Sequence, residues 1–219
     1  MRDFNEVLQA EEQEDGDLRS ERQMEGFRNA LTCCQLQDLR KWNEVKSHDI
    51  TERVQKWQKP DFGWIKCNFD AAWDEIGSRR GIGIVVRNSE AEFIAAMVVW
   101  ENEIHSALHA EAVAVRATIV FTRQWSTEHV QVEGDALMVI FEIHNEGTMH
   151  HDPYEHLFAN TWQILQSFKQ WKVSFGRKDT NKVAHRLARF SLALDHLVSW
   201  FEEPPDVISD LLLKDSISS

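Results

Sequence analysis

The stretch IKCNFDAAW, residues 65–73, sets up a strand pattern and then breaks it with a carboxylate. Ile65, Cys67 and Phe69 alternate with polar residues, which is the period of a strand with one buried face. Asp is depleted from strands, so Asp70 at the end of this one needs a reason. It is either a turn residue that closes the strand or a functional carboxylate.

The segments that follow alternate between strand and helix periods. Strands are predicted over 64–71, 81–87, 92–100, 129–135 and 171–177, and helices over 107–125, 135–146, 152–170 and 179–197. The first three strands have short connections, which favours an antiparallel meander, and later strands alternate with helices. This order predicts an α/β fold with a five-stranded mixed sheet, in which βαβ units follow the meander and helices cover both faces.

The domain organisation is predicted from changes in pattern along the 219 residues. Residues 1–40 form an acid-rich start followed by an amphipathic helix. Residues 41–60 are charged, lack a period and end in Lys59 and Pro60, which indicates a linker. Residues 61–219 contain the regular pattern and are predicted to form one domain.

Composition limits the function. The formal net charge is −12, which argues against tight, non-specific binding of nucleic acid but leaves room for a local basic strip or a metal-filled carboxylate site. No apolar run reaches the roughly 20 residues that span a bilayer. Three cysteines give no disulfide framework. We therefore expect an intracellular protein, nuclear or cytoplasmic, that is not secreted and does not contact a membrane.

Three carboxylates stand where the predicted elements could bring them together. Asp70 ends the first strand, Glu111 lies in the first turns of the first helix, and Asp135 follows the fourth strand. Each has an ordinary alternative: a turn residue for Asp70, a solvated helix residue for Glu111 and a helix N-cap for Asp135. If they converge, they suit hard cations such as Mg²⁺, two of which assist phosphoryl displacement.

Several ordered blocks run from about Trp64 to Asp215: NFDAAW, GIGIVVRNSE, HAEAVAVRA, VEGDALMVI, DTNKVAHRLAR and the tail WFEEPPDVISDLLLKD. Together they resemble the type 1 ribonuclease H domain in its plant reverse-transcriptase-like form. The resemblance implies a ribonuclease H-like fold that cleaves the RNA strand of an RNA–DNA hybrid. It also implies two Mg²⁺ ions, replaceable by Mn²⁺, held by Asp70, Glu111 and Asp135. A monomer that binds RNA–DNA hybrid is the expected form.

The same resemblance assigns four further residues. In the closing helix His185 stands where the family has a fourth carboxylate, a position at which the plant branch often has histidine. We expect His185 to act with the catalytic carboxylates, and Asn68, Trp73 and Asn181 to contact substrate. Since imidazole adds no negative charge, the alternative function is a catalytically weak or inactive nucleic-acid-binding or interaction domain from a decayed mobile element.

A second resemblance covers residues 1–40. DFNEVL and RQMEGFRNALTCCQLQDL are similar to parts of the endonuclease of plant LINE-type retrotransposons. Asp3 and Asn5 match catalytic positions of that family, whose His and Asp partners have no counterpart here. We interpret this segment as a truncated endonuclease-like remnant, which implies that the chain derives from a retrotransposon.

Overall fold

The computed structural model describes residues 55–74, 79–101, 104, 106–125, 128–145 and 154–218. The segment predicted to be an endonuclease remnant, residues 1–40, lies outside these ranges, as does most of the predicted linker. The strands are β1 (Ile65–Asp74), β2 (Arg79–Arg87), β3 (Phe93–Glu101), β4 (His129–Gly134), β5 (Gln170–Phe175) and β6 (Val198–Phe201). The α-helices are α1 (Ala107–Thr122), α2 (Leu137–His144), α3 (Glu155–Leu165), α4 (Lys182–Ser191) and α5 (Asp206–Ser218).

The strands form one mixed sheet in the order β5-β4-β1-β2-β3-β6. β1 pairs in parallel with β4, and β4 in parallel with β5, while the other pairings are antiparallel. The predicted α/β fold with a mixed sheet is confirmed, with six strands instead of five. The prediction omitted β6 because its four residues are half-buried or exposed and show no alternation.

Helices cover both faces of the sheet, as predicted. One core lies between the sheet and the helices α1, α2 and α3, and includes Phe69, Val115 and Ile140. The other lies under α4 and α5 and includes Val85, Leu187 and Ile208. Among the described residues, no helix combines the length and the apolar character that crossing a membrane requires.

Two glycines allow α4 to lie directly on β2. A Cβ at Gly83 would come 2.2 Å from the Ala188 backbone nitrogen and 2.4 Å from the Ala184 carbonyl oxygen. At Gly81 it would come 2.2 Å from the Ala188 carbonyl oxygen. Gly83 is also the residue that pairs with Asp70 across β1 and β2. The glycines therefore set the distance between α4 and the strand that carries the first predicted carboxylate.

The end of the predicted linker belongs to the folded body. Trp57 is 1% exposed, and the guanidinium carbon of Arg87 lies 3.6 Å from the centre of its ring. Pro60 is also buried. Two residues of the predicted linker, Trp57 and Pro60, are therefore buried in the folded domain.

Candidate active site

The three predicted carboxylates lie together at one end of the sheet. Asp70 is 4% exposed on β1, Glu111 lies in the second turn of α1, and Asp135 directly follows β4. Parallel pairing of Asn68 with Glu133 puts residues 70 and 135, two places further on, at the same level. One oxygen from each of the three acids lies within 4.8 Å of the others.

The ordinary explanations for these acids do not match their surroundings. Asp70 is not a strand-end turn residue, because β1 continues to Asp74. Asp135 does not cap α2, whose N-cap position is Ala136 and has no side-chain hydrogen bond. Glu111 is not fully solvated, since its Oε2 is a buried atom.

Burial and mutual repulsion raise the pKa of two of these carboxyl groups. Burial is the largest cause in each case, followed by the negative charge of Asp70. The pKa of Asp135 rises to about 6. The pKa of Glu111 lies well above its ordinary value, although the Ala71 backbone N–H donates a hydrogen bond to this carboxylate. Such a cluster favours a counter-charge between its members.

The residues present fit a divalent cation. Within the part of the chain that the structure describes, the buried oxygens Glu111 Oε2 and Asp135 Oδ1 have no hydrogen-bond donor. A buried polar atom without a partner costs about 1–3 kcal/mol, which a bound cation would offset. Carboxylate oxygens are the ligands that Mg²⁺ prefers. Asp70, Glu111 and Asp135 therefore form a carboxylate cluster suited to a metal.

His185 contacts the most buried of these acids. Its Nδ1 lies 2.6 Å from Asp70 Oδ2, and its side chain is one-third exposed. Because an ionised carboxylate can only accept, Nδ1 is the donor. Asn181, at the N-cap of α4, donates from Nδ2 to the Phe69 carbonyl oxygen at 2.7 Å and so ties this helix to β1.

Two of the three predicted substrate contacts are buried inside the protein. Asn68 is fully buried; its Oδ1 accepts hydrogen bonds from Trp57 and Arg87, and its Nδ2 donates to Glu133. Asn181 is 1% exposed and holds β1. Direct contact of either side chain with substrate does not fit this burial. Trp73 lies within β1, but its side chain lies outside the described part of the structure.

Sequence reasoning missed a network of buried polar side chains, here called the polar brace, next to the carboxylates. Lys66 pairs with Glu133 at 2.8 Å, and Arg87 pairs with Asp215 of α5 at 2.7 Å. Asn68 lies between the two ion pairs. Because Asn68 and Glu133 each precede a site carboxylate by two residues, their hydrogen bond holds β1 and β4 in register beside the site. The members of the polar brace are Trp57, Lys66, Asn68, Arg87, Glu133 and Asp215.

The polar brace was hard to predict from the sequence. The alternation of residues in β1 predicts that Lys66 and Asn68 lie on the solvent-exposed face of the strand. Their burial becomes visible only when residues 55–60 and α5 cover that face, and neither segment was predicted as part of the sheet's covering. Burial also lowers the pKa of Lys66 and of Arg87, against the opposing effect of their carboxylate partners.

Comparisons with known proteins agree with this fold. The family model described as "Reverse transcriptase-like" matches residues 68–191. A curated Arabidopsis thaliana protein named for ribonuclease H is 25% identical over 170 residues, 77% of this chain. The match spans only 27% of that relative's length.

Solved structures share the fold at low identity. RNase H1 from the archaeon Halobacterium salinarum is 19% identical, with a TM-score of 0.54, and the match covers 59% of this chain and 98% of that one. The N-terminal RNase H domain of a Mycobacterium tuberculosis protein is 15% identical with the same TM-score, over 59% of this chain and 94% of that one. These likenesses establish a ribonuclease H-like fold.

Proposed function

We propose, from the premise that this chain belongs to the reverse transcriptase-like family, that it hydrolyses the RNA strand of RNA–DNA hybrids. Divalent cations bound by Asp70, Glu111 and Asp135 would assist the reaction. The observation that carries this proposal is the convergence of the three acids within 4.8 Å, with two buried oxygens that no described donor reaches. The ribonuclease H names of its relatives support the class of substrate.

The protein's own residues prepare the site. When bound, two Mg²⁺ ions, or two Mn²⁺ ions in their place, would stabilise the attacking and leaving oxygens of a phosphoryl displacement. Asp70 offers a buried carboxylate at the centre, and the Ala71 backbone N–H orients Glu111. Asp135 completes the set from the end of β4. The reaction class requires no protein nucleophile, because water attacks the phosphorus.

His185 orients the central carboxylate. Its Nδ1–H donates to Asp70 Oδ2, which fixes one oxygen of Asp70 and leaves Nε2 of a neutral imidazole as an acceptor. Imidazole suits Mn²⁺ better than Mg²⁺. We therefore propose that activity is relatively higher in Mn²⁺.

A non-catalytic nucleic-acid-binding or interaction domain is the second candidate function. It is favoured by one observation: the His185 imidazole forms a hydrogen bond with an oxygen of Asp70, at the position where the resemblance implies a fourth carboxylate. Such a domain would keep the fold and bind hybrid without cleaving it.

A panel of duplexes separates these functions. The purified chain is incubated in Mg²⁺, and separately in Mn²⁺, with RNA–DNA hybrid, double-stranded RNA and double-stranded DNA, each labelled on one strand at a time. The proposal predicts cleavage of the RNA strand of the hybrid alone. Binding without cleavage in either metal supports the second candidate, and equal cleavage of all three duplexes contradicts the proposed substrate.

The proposal extends to the oligomeric state, the cellular location and the origin of the protein. We propose a monomer with a nuclear or cytoplasmic location, where RNA–DNA hybrids form. Its derivation from a LINE-type retrotransposon rests on the resemblance of residues 1–40.

A further inference from the structure

A groove of about 410 Å³ lies between α4 and α5. His185 lines this groove and also contacts Asp70, so one side chain separates the groove from the carboxylate cluster. Leu211 of α5 forms its apolar wall. The remaining lining is one acidic residue, Asp179, and four cationic side chains: Lys178, Lys182, Arg186 and Arg189.

The helical period of α4 puts these cations on one side. Val183, Leu187 and Ala188 are buried against the sheet, so positions 182, 186 and 189 share the opposite face. The eight residues from Lys182 to Arg189 span roughly 10 Å along the helix axis. Lys178 extends the row from the 3₁₀ turn Lys178–Thr180, which precedes the helix.

Acidic neighbours neutralise only half of this row. Arg186 pairs with Asp210, and Lys182 pairs with Asp179 at 3.4 Å through side chains that are about half exposed. No carboxylate of the described residues forms an ion pair with Lys178 or Arg189. The groove thus keeps positive charge in a chain whose formal net charge is −12.

We propose that this basic groove binds the phosphates of the nucleic-acid strand that enters the carboxylate cluster. The inference rests on the proposed function and adds the path of the strand. A duplex carries one phosphate per strand for about every 3.4 Å of its axis, so a 10 Å row accompanies roughly three phosphates. The cations of the groove also reduce the electrostatic repulsion between the acidic protein and the phosphates of its substrate. They do so near the carboxylate cluster, which the strand must approach most closely.

The test compares two double variants that remove the same charge. Lys178→Ala with Arg189→Ala removes the two groove cations that have no ion-pair partner among the described residues, so no described carboxylate loses its partner. The control, Lys169→Ala with Lys172→Ala, removes two exposed lysines from the opposite end of the parallel strands, where Gln170 pairs with His129. Binding of a fluorescent RNA–DNA hybrid is measured by anisotropy in EDTA over a series of salt concentrations, and the melting temperature of each variant is checked.

The groove variant should weaken binding by about one to two orders of magnitude at 0.1 M salt, and should reduce the slope of log K against log salt by about 2. The control should retain the parent's affinity and slope. The inference is overturned if the groove variant binds like the parent, if both variants weaken equally, or if the parent does not bind.

Cleavage by the parent separates this result from the proposed function. A parent that cleaves hybrid while its groove variant binds normally would refute the groove alone. A parent that binds through the groove but never cleaves would refute the hydrolytic function alone.

Discussion

The Nδ1 atom of His185 donates a hydrogen bond to Oδ2 of Asp70 across 2.6 Å and joins helix α4 to the strand that carries the central carboxylate. An imidazole at this place adds no negative charge to the cluster. Mg²⁺ prefers oxygen ligands, whereas Mn²⁺ accepts nitrogen more readily. The choice of residue at position 185 therefore bears on how strongly the site holds each metal.

We predict that His185→Asp increases the rate of hybrid cleavage in Mg²⁺ and reduces the preference for Mn²⁺, because it adds a carboxylate beside the other three. Rates are measured in both metals. His196→Asp makes the same change at an exposed position next to Asp195 and should have no effect. A folded His185→Asp protein that cleaves no faster in Mg²⁺ would contradict this role of position 185.

Neutralising Asp135 should stabilise the protein in the absence of metal. The pKa of Asp135 is raised from 3.8 to about 6, first by burial and then by the charge of Asp70. The folded state therefore binds a proton more tightly than the unfolded state. Protonation of Asp135 therefore adds at most about 3 kcal/mol to the free energy of unfolding. This contribution is fully present below the unfolded pKa and is lost as pH rises through about 6.

In EDTA, Asp135→Asn should melt at a higher temperature than the parent at pH 7.5, and this advantage should shrink as pH falls to 5. In saturating Mg²⁺ the order should reverse, because the parent gains more from the cation. Glu203→Gln, at an exposed position, provides the matched control. An Asp135→Asn protein that gains as much from Mg²⁺ as the parent would count against Asp135 as a ligand.

Gly83 should tolerate no side chain. In Gly83→Ala the new methyl group meets the backbone of α4 at Ala188 and Ala184, so we expect a loss of about 3 kcal/mol in the free energy of unfolding. Gly63→Ala meets nothing within 4 Å and bears only the strain of φ +79°, which costs about 1–2 kcal/mol. Urea denaturation measures both, and an equal or smaller loss at Gly83 would contradict the close packing of α4.

Trp57 should stabilise the domain even though it precedes the residues matched by the family model. Trp57→Ala removes a buried ring that donates to Asn68 and lies against Arg87, and should cost about 3–5 kcal/mol. Phe62→Ala removes an aromatic ring that is 91% exposed and should cost less than about 0.5 kcal/mol. Similar melting temperatures for the two variants would show that residues 55–60 are not integrated.

Much of the fold was predictable because its strands and helices have strong periods. The spacing of apolar residues predicted the meander, the later alternation of strands with helices, and the helix that carries Glu111. The short strand β6 lacks alternation. Helix α5 had an unused signal, since Pro205 precedes it, Asp206 is its first residue, and Ile208 and Leu211 follow at helical spacing.

The site was predictable only in part. The sequence pattern put Asp70 at the end of a predicted strand, Glu111 in the first turns of a predicted helix and Asp135 directly after another strand, so their convergence could be expected from topology. The burial of Asn68 and Asn181 could not, because it depends on partners distant in sequence: Trp57 and Arg87 for Asn68, and the Phe69 backbone for Asn181. Neutral polar residues on a strand or at a helix start look alike whether they face solvent or a buried partner.

The central claim is that the carboxylate cluster cleaves the RNA strand of a hybrid, and single-turnover cleavage by the parent and by Asp70→Asn in Mg²⁺ tests it most directly. The parent should cut the RNA strand. Asp70→Asn should fold normally, and its cleavage rate should fall by more than about a hundredfold. This is a larger loss than is expected when the replaced residue only supports a metal ligand. Equal rates for the two proteins, or no cleavage by the parent in Mg²⁺ or Mn²⁺, would contradict the claim.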